Sequence, residues 1–261
     1  MSTAPLALSA DQTVPPVLAG RNVLITGGTT GIGRATAALL VANGANVFIF
    51  GRHQPELDEA LATLENGRTR TAGITADQAD PGDVVRVFTT IEREFGPLDV
   101  LVNNAAVPGG PAAAGGEAEW RYRLNADLLG YIDCTRRALT QMRGRKRGHI
   151  VNIGSTSAEY ASEGSSLYVA AKMAIRGFSR ALRSEVAKDG IRVTLIEPGL
   201  TGTSFFDEEG EEIADAAVQR REQKKGAMLK AEDVAVAVHY CLTQPERCNV
   251  SFLQVEPVAE E

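Results

Sequence analysis

The stretch VLITGGTTGIG at residues 23–33 decides the fold class of this chain. Its apolar start predicts a buried strand, and the glycine-rich part predicts a tight turn that opens a helix. Gly27 permits the turn, Gly31 lets the backbone approach a ligand, and Gly33 lets the helix pack closely. A helix that begins there offers unpaired N–H groups to a pyrophosphate. The candidate cofactor contacts in this turn are Gly27, Thr29, Thr30, Gly31, Ile32 and Gly33.

Short apolar runs alternate with longer helical stretches along the rest of the chain. Continuous apolar runs fit strands that are buried on both faces, as parallel sheets require. The pattern predicts a single α/β domain with a doubly wound, Rossmann-type parallel sheet of about seven strands and helices on both faces. The predicted strands lie at residues 23–25, 47–50, 70–74, 100–102, 150–153, 193–196 and 250–253.

Length and composition narrow the classes of function. The chain has 261 residues, of which 44% are hydrophobic, and its net charge is −6. Apolar runs are far shorter than the roughly 20 residues of a membrane-spanning helix, which argues against an integral membrane protein. The acidic excess gives no support for nucleic acid or anionic lipid as a partner. Residues 1–20 lack the pattern of a signal peptide and are expected to form a flexible arm before a single domain at 21–261.

The three cysteines, Cys134, Cys241 and Cys248, are too few and too scattered for a disulfide framework or a zinc site. We expect them to be buried thiols in a reduced, cytoplasmic protein, and we predict no metal site.

The end of the second predicted strand indicates which dinucleotide is bound. An acidic residue there would hold the ribose 2′-hydroxyl and repel a 2′-phosphate. This chain has Gly51 followed by Arg52, whose guanidinium matches a phosphate. Arg34 is a candidate second positive group. The sequence therefore favours NADP(H) over NAD(H).

Tyr168 and Lys172 are four residues apart, a spacing that puts both side chains on one face of a helix. A nearby ammonium stabilises phenolate, which predicts a lowered tyrosine pKa. Ser155 follows the predicted strand at 150–153 and is expected at its carboxyl end, where open α/β sheets bind ligands. These three side chains predict acid–base chemistry on a carbonyl or alcohol oxygen.

Together these motifs resemble the short-chain dehydrogenase/reductase family, over about residues 20–256. The resemblance implies hydride transfer between NADP(H) and a small carbonyl or alcohol, with Tyr168 as proton donor or acceptor, Lys172 as its partner and Ser155 orienting the oxygen. It implies that Asn125 takes part in a proton relay with Lys172. Asn103-Asn104-Ala105-Ala106 resembles the family's Asn-Asn-Ala-Gly motif, with Ala in the last place. The further cofactor contacts that it implies are Asp77, Asn104, Ala105, Tyr168, Lys172, Pro198, Gly199 and Thr203.

Two segments near the expected substrate mouth are less informative. The loop at 107–116 is rich in small residues, and the stretch at 204–227 is either a mobile lid or a solvated helix. His149 and His239 are predicted to be structural, because the tyrosine already fills the acid–base role. The chain's ending is more similar to NADP-dependent members that act on hydroxy acids, amino-acid alcohols or general carbonyls.

Apolar residues recur along predicted helices at 117–143 and 165–188, where they face the sheet or a second subunit. By resemblance to the family, we expect a homotetramer or homodimer. Two other functions stay open. One is a catalytically silent dinucleotide-binding sensor or scaffold, which the intact Ser155, Tyr168 and Lys172 argue against. The other is a nucleotide-sugar epimerase or dehydratase, which needs a larger C-terminal domain than the roughly 60 residues after the sixth predicted strand.

Overall fold

A computed structural model of the protein describes residues 18–108, 110–111, 115–203 and 228–258. The strands are β1 (Asn22–Thr26), β2 (Asn46–Gly51), β3 (Thr71–Thr75), β4 (Val100–Asn103), β5 (Gly148–Ile153), β6 (Ile191–Pro198) and β7 (Phe252–Val255). The α-helices are α1 (Gly31–Ala42), α2 (Gln54–Leu64), α3 (Pro81–Glu94), α4 (Glu117–Leu124), α5 (Gly130–Arg143), α6 (Ser166–Val186) and α7 (Ala231–Thr243). A π-helical turn, Asn125–Leu129, joins α4 to α5.

All seven strands are parallel and lie in the order β3-β2-β1-β4-β5-β6-β7. The chain winds outward from β1 to β3, then returns to β4 on the other side of β1. In such a sheet the ligand crevice lies outside the carboxyl ends of the strands at this reversal, here β1 and β4. The predicted doubly wound, single-domain α/β fold is confirmed.

Alternate residues along each strand face opposite helical layers. In β1, Val23 and Ile25 pack in a core shared with α1, α2 and α7, whereas Leu24 packs in a core shared with α3, α5 and α6. Both cores are buried, which is why the strands read as unbroken apolar runs.

The helix predicted at 117–143 differs most from the structure. It is interrupted by the π-helical turn, which adds one residue to a turn and changes which side chains face inward. After the turn Tyr131 and Cys134 are buried, whereas Ile132 is 36% exposed. The single helix predicted at 117–143 is therefore interrupted, and not all of its apolar residues face the sheet.

Other corrections are smaller. The last predicted strand, 250–253, lies two residues later, because Ser251 still precedes the ladder, and β3 is shifted by one residue. Leu18 is 3% exposed and packs in the core, so the flexible arm predicted at 1–20 does not include Leu18. Residues 1–17 lie outside the described residues. Cys134 and Cys241 are buried as predicted, but Cys248 is exposed.

Across the described ranges, we find no helix with the length and apolarity that a membrane span requires.

Candidate active site

The glycine-rich turn after β1 is held by the segment after β4. The Thr26 hydroxyl accepts hydrogen bonds from the backbone N–H of Asn104 at 3.0 Å and of Ala105 at 2.8 Å. The Asn104 side-chain amide donates to the carbonyls of Thr26 and Gly27, both at 3.0 Å. These bonds fix the turn to the neighbouring strand, so its backbone is rigid before any ligand arrives.

The close packing in this turn explains why its glycines are needed. A Cβ on Gly33 would lie 2.0 Å from the carbonyl oxygen of Gly27, and a Cβ on Gly27 would lie 2.8 Å from Cα of Ala105. Gly27 and Gly31 have positive φ angles of 61° and 50°. Helix α1 begins at Gly31, so its N-terminal N–H groups follow directly from the turn.

Thr203 reaches the same turn from the far side of the crevice. A Cβ on Gly31 would lie 3.3 Å from the methyl carbon of Thr203. The Gly199 N–H donates to the Val255 carbonyl at 2.7 Å, and Pro198 ends β6. The segment at 198–203 is therefore brought beside the turn, as the resemblance implied for a cofactor site.

The carboxyl end of β2 has no room for a side chain at residue 51. A Cβ on Gly51 would lie 2.5 Å from the Thr29 hydroxyl oxygen. The next residue, Arg52, is exposed, and its guanidinium donates to the Tyr122 hydroxyl at 3.2 Å. Tyr122 in turn donates to the Asp77 carboxylate at 2.9 Å. Two predicted contacts, Arg52 and Asp77, are thus joined through Tyr122, a residue that the sequence analysis missed.

Arg34, the second predicted positive group, is instead paired with Glu59 of α2 at 3.0 Å. Its guanidinium is therefore engaged at the surface of the helix layer. Arg52 is the better candidate for a 2′-phosphate.

A buried chain of polar side chains links the central strands to the helices behind the site. The Asn103 amide donates to Asn152 at 2.9 Å and to the Thr135 hydroxyl at 3.0 Å, and Asn152 donates to Ser179 at 2.9 Å. Because buried polar groups are costly unless paired, this chain fixes α5 and α6 relative to β4 and β5.

Ser155 follows β5 and is 9% exposed, and Tyr168 lies near the start of α6. The Ser155 side chain is hydrogen-bonded to the Tyr168 phenol. Ser155 also accepts the N–H of Ser157 at 3.1 Å, which fixes its side chain. The predicted pair of hydroxyls is therefore brought together at the carboxyl end of β5, beside the crevice.

Lys172 is 2% exposed and lies on the same face of α6. Its Nζ donates to the Ile153 carbonyl at 3.0 Å and contacts the Tyr131 hydroxyl at 3.5 Å. It lies 5.5 Å from the ring centre of Tyr168. Ser155, Tyr168 and Lys172 thus form one cluster, to which the structure adds Tyr131.

The protonation of Tyr168 differs from the sequence-based expectation. Desolvation raises the pKa of the phenol, the Ser155 hydrogen bond lowers it, and the Asp127 carboxylate raises it. The Lys172 ammonium donates to the Ile153 carbonyl, contacts the Tyr131 hydroxyl and lies 5.5 Å from the ring centre of Tyr168. The phenol is therefore held protonated, the form that donates a proton.

Asn125 begins the π-helical turn and is half-buried, and its relay role stays a prediction. Two acidic residues act on Lys172, Asp127 and, more weakly, Glu197. Asp127 is 2% exposed and accepts the Val107 N–H at 2.7 Å. Gln78 is also buried and ties the Ala126 carbonyl, at 2.7 Å, to the end of β3. Asp127 was missed because nothing in the sequence signals the π-helical turn that carries it inward.

His149 lies at the opposite end of the sheet, where it is buried and bonded to Thr194 at 2.8 Å. It is structural, as predicted. Residues 109, 112–114 and 204–227 lie outside the described residues, so the predicted lid and part of the small-residue loop cannot be placed.

A sequence model for the short chain dehydrogenase family matches residues 21–214. A Salmonella typhi NADP-dependent 3-hydroxy acid dehydrogenase is 32% identical over 91% of this chain and 95% of its own. An uncharacterised oxidoreductase of Staphylococcus aureus is 30% identical over 93% of this chain and 99% of its own. The closed form of serine dehydrogenase complexed with NADP+ aligns with a TM-score of 0.83 and 30% identity, over 92% of this chain and 96% of that one.

Proposed function

This chain belongs to the short-chain dehydrogenase family, and from that premise we propose that it is an NADP(H)-dependent oxidoreductase. The proposed reaction transfers hydride between the nicotinamide and a small carbonyl compound or secondary alcohol. The observation that carries the proposal is the joint position of Ser155, Tyr168 and Lys172 at the carboxyl end of β5, next to a glycine turn shaped for a pyrophosphate.

The residues present fit a bound dinucleotide. The turn carries no side chain at Gly27, Gly31 and Gly33, and the N-terminus of α1 favours the negative charge of phosphates. Arg52 supports binding of a 2′-phosphate, because a guanidinium follows a position where no carboxylate can fit. When bound, NADP(H) supplies or accepts the hydride.

The protein's own residues handle the proton and the orientation of the substrate. In reduction, Tyr168 donates its proton to the carbonyl oxygen, and in oxidation it accepts the proton of the alcohol. Ser155 holds the same oxygen through its hydroxyl, which lies beside the phenol. The Lys172 ammonium stabilises negative charge on the phenolate that forms.

The relatives support a class of substrate. The Salmonella typhi protein is named for 3-hydroxy acids, and the structural neighbour is a serine dehydrogenase. In 3-hydroxy acids and in serine the hydroxyl is on the carbon β to the carboxyl group. We propose short hydroxy acids and β-hydroxy amino acids as the first substrates to assay, with simple ketones as comparison.

The test is an absorbance assay of nicotinamide oxidation and reduction with both cofactors, for the wild type and Tyr168→Phe. The phenylalanine keeps the ring and removes the proton donor, so turnover should fall at least a thousandfold while NADPH still binds. Near-wild-type turnover by Tyr168→Phe would refute the assignment. Cofactor binding with no turnover on any substrate by the wild type would favour a catalytically silent sensor.

We also propose a homodimer or homotetramer. Leu129, Ile132 and Met173 are exposed apolar residues on the π-helical turn, α5 and α6, at 54%, 36% and 48%. Such side chains are typical of a subunit interface. A monomer by light scattering at micromolar concentration would contradict this.

A further inference from the structure

The Lys172 side chain is 2% exposed, so its amino group is almost entirely out of contact with water. We propose that Asp127 is the buried carboxylate that balances the Lys172 ammonium and so acts on the reaction as a positioning residue through Lys172. The catalytic consequence rests on the proposed function, but the charge balance does not.

Asp127 is fixed in place by the π-helical turn. It is 2% exposed, and its Oδ1 accepts the Val107 N–H at 2.7 Å. This bond ties the turn to the loop after β4, while α6, which carries Lys172, packs against the same turn. A carboxylate and an ammonium are therefore held on two adjoining elements, both out of contact with solvent.

Glu197 is the other acidic residue that acts on Lys172, but its carboxylate is already paired with an arginine. It is fully buried in β6 and is bound by the Arg176 guanidinium through both of its oxygens. Arg176 therefore neutralises Glu197, and Asp127 remains as the acidic group that offsets Lys172. Arg123 of α4 also acts on Asp127, but its guanidinium is bound to Glu119 at 2.8 Å.

The charges act through space. Among the described residues neither Asp127 nor Lys172 forms a direct ion pair, and burial removes most of the screening that water would provide. Burial lowers the pKa of Lys172, whereas Asp127 and then Glu197 raise it. Burial raises the pKa of Asp127 to about 6, against the effect of Lys172, the Val107 hydrogen bond and Arg123. Asp127 is thus ionised at neutral pH.

Two tyrosines also lie near Lys172 and Asp127. Tyr131 of α5 and Tyr168 of α6 face the same space, and burial, followed by the Asp127 charge, raises the pKa of both phenols. Asp127 therefore favours the ammonium form of Lys172 and the protonated form of Tyr168. Both are the forms that reduction of a carbonyl requires.

The first experiment measures the ionisation of Lys172 by NMR and needs no substrate. The chain has six lysines, so the ε-carbon signals of ¹³C-labelled lysine can be assigned with Lys172→Met. In Asp127→Asn the amide oxygen still accepts the Val107 N–H, but the charge is gone. We expect the pKa of Lys172 to fall by one pH unit or more. Asp127→Glu, which keeps the charge, should restore most of that difference.

The matched control is Asp133→Asn, which removes an acidic residue on α5 that is paired with Arg136 and Arg137. It should leave the pKa of Lys172 unchanged. If Asp127→Asn does not fold, the wild type still provides the test, because its Lys172 signal should show a second inflection near pH 6 as Asp127 protonates. An unchanged pKa in a folded Asp127→Asn protein, or a wild-type curve without that inflection, would overturn the proposal.

The second experiment measures the pH profile of kcat/KM for reduction. The alkaline limb should move to lower pH in Asp127→Asn, recover in Asp127→Glu and stay in place in Asp133→Asn. A moved Lys172 pKa without wild-type turnover would refute the proposed function and leave the charge balance standing. If the wild type turns over substrate but Asp127→Asn changes neither the alkaline limb nor the Lys172 pKa, only the role of Asp127 would be overturned.

Discussion

Gly33→Ala tests the reasoning about the glycine turn most sharply. The added Cβ would lie 2.0 Å from the Gly27 carbonyl oxygen and 2.6 Å from the Asn104 amide nitrogen, where ordinary contact begins at 3.4 Å. Neither atom is free to move, because the Asn104 amide holds the carbonyls of Thr26 and Gly27. Opening the turn breaks these two hydrogen bonds, at about 1 kcal/mol each. Overpacking adds about 1–3 kcal/mol.

The expected loss in the free energy of unfolding is therefore about 3–5 kcal/mol, measured by urea denaturation. NADPH affinity, measured by fluorescence titration, should fall by more than tenfold, since about 1.4 kcal/mol is worth a factor of ten. The control is Gly144→Ala at the end of α5, where φ is −60° and a Cβ meets no atom within 4 Å. That variant should gain about 0.4–1 kcal/mol in the free energy of unfolding. Wild-type stability and NADPH affinity in Gly33→Ala would refute the reasoning.

Three further predictions follow from individual contacts. Thr26→Val removes the hydroxyl that accepts two backbone N–H groups, so the free energy of unfolding should fall by about 2–4 kcal/mol in urea; a loss under about 0.5 kcal/mol would contradict it. Arg52→Asp should weaken NADPH binding at least tenfold and leave NADH binding unchanged or improved in parallel titrations; an unaltered preference would exclude Arg52 as the 2′-phosphate group. The pKa of Asp127 in the folded protein, about 6, lies above its ordinary 3.8. Between these two pH values the native state binds more protons than the unfolded state, so at higher pH the ionised carboxylate lowers the free energy of unfolding. Measured against Asp127→Asn, the wild type should therefore gain roughly 2 kcal/mol in the free energy of unfolding as pH falls from 7 to 4, and a flat difference would contradict the burial cost.

Much of the fold could be predicted from local sequence because each strand is buried on both faces. Runs such as Val23-Leu24-Ile25 therefore stand out against the helices. Likewise, the spacing of Tyr168 and Lys172 fixes their shared helix face, and Ser155 follows from its place after β5. These features depend on neighbours within a few residues.

The π-helical turn could not be predicted, because Asn125–Leu129 reads as ordinary helix. It is stabilised by distant partners, such as the Asp127 bond to Val107. The direction of the shift in the Tyr168 pKa could not be predicted from the sequence either. Four-residue spacing predicts an ammonium that lowers the pKa of the phenol, but burial of Tyr168 has the larger effect and raises it. Tyr122, which joins Arg52 to Asp77, is set by contacts 70 and 45 residues apart.

The central claim is that Tyr168 protonates an oxygen while the nicotinamide passes hydride to the adjoining carbon. The direct measurement uses NADPH deuterated at the transferring position of the nicotinamide, with mass spectrometry of the alcohol formed from the best substrate of the panel. The account predicts one deuterium on the carbinol carbon with the wild type and no labelled alcohol above background with Tyr168→Phe. Unlabelled alcohol from the wild type, or equal labelling by both proteins, would contradict it.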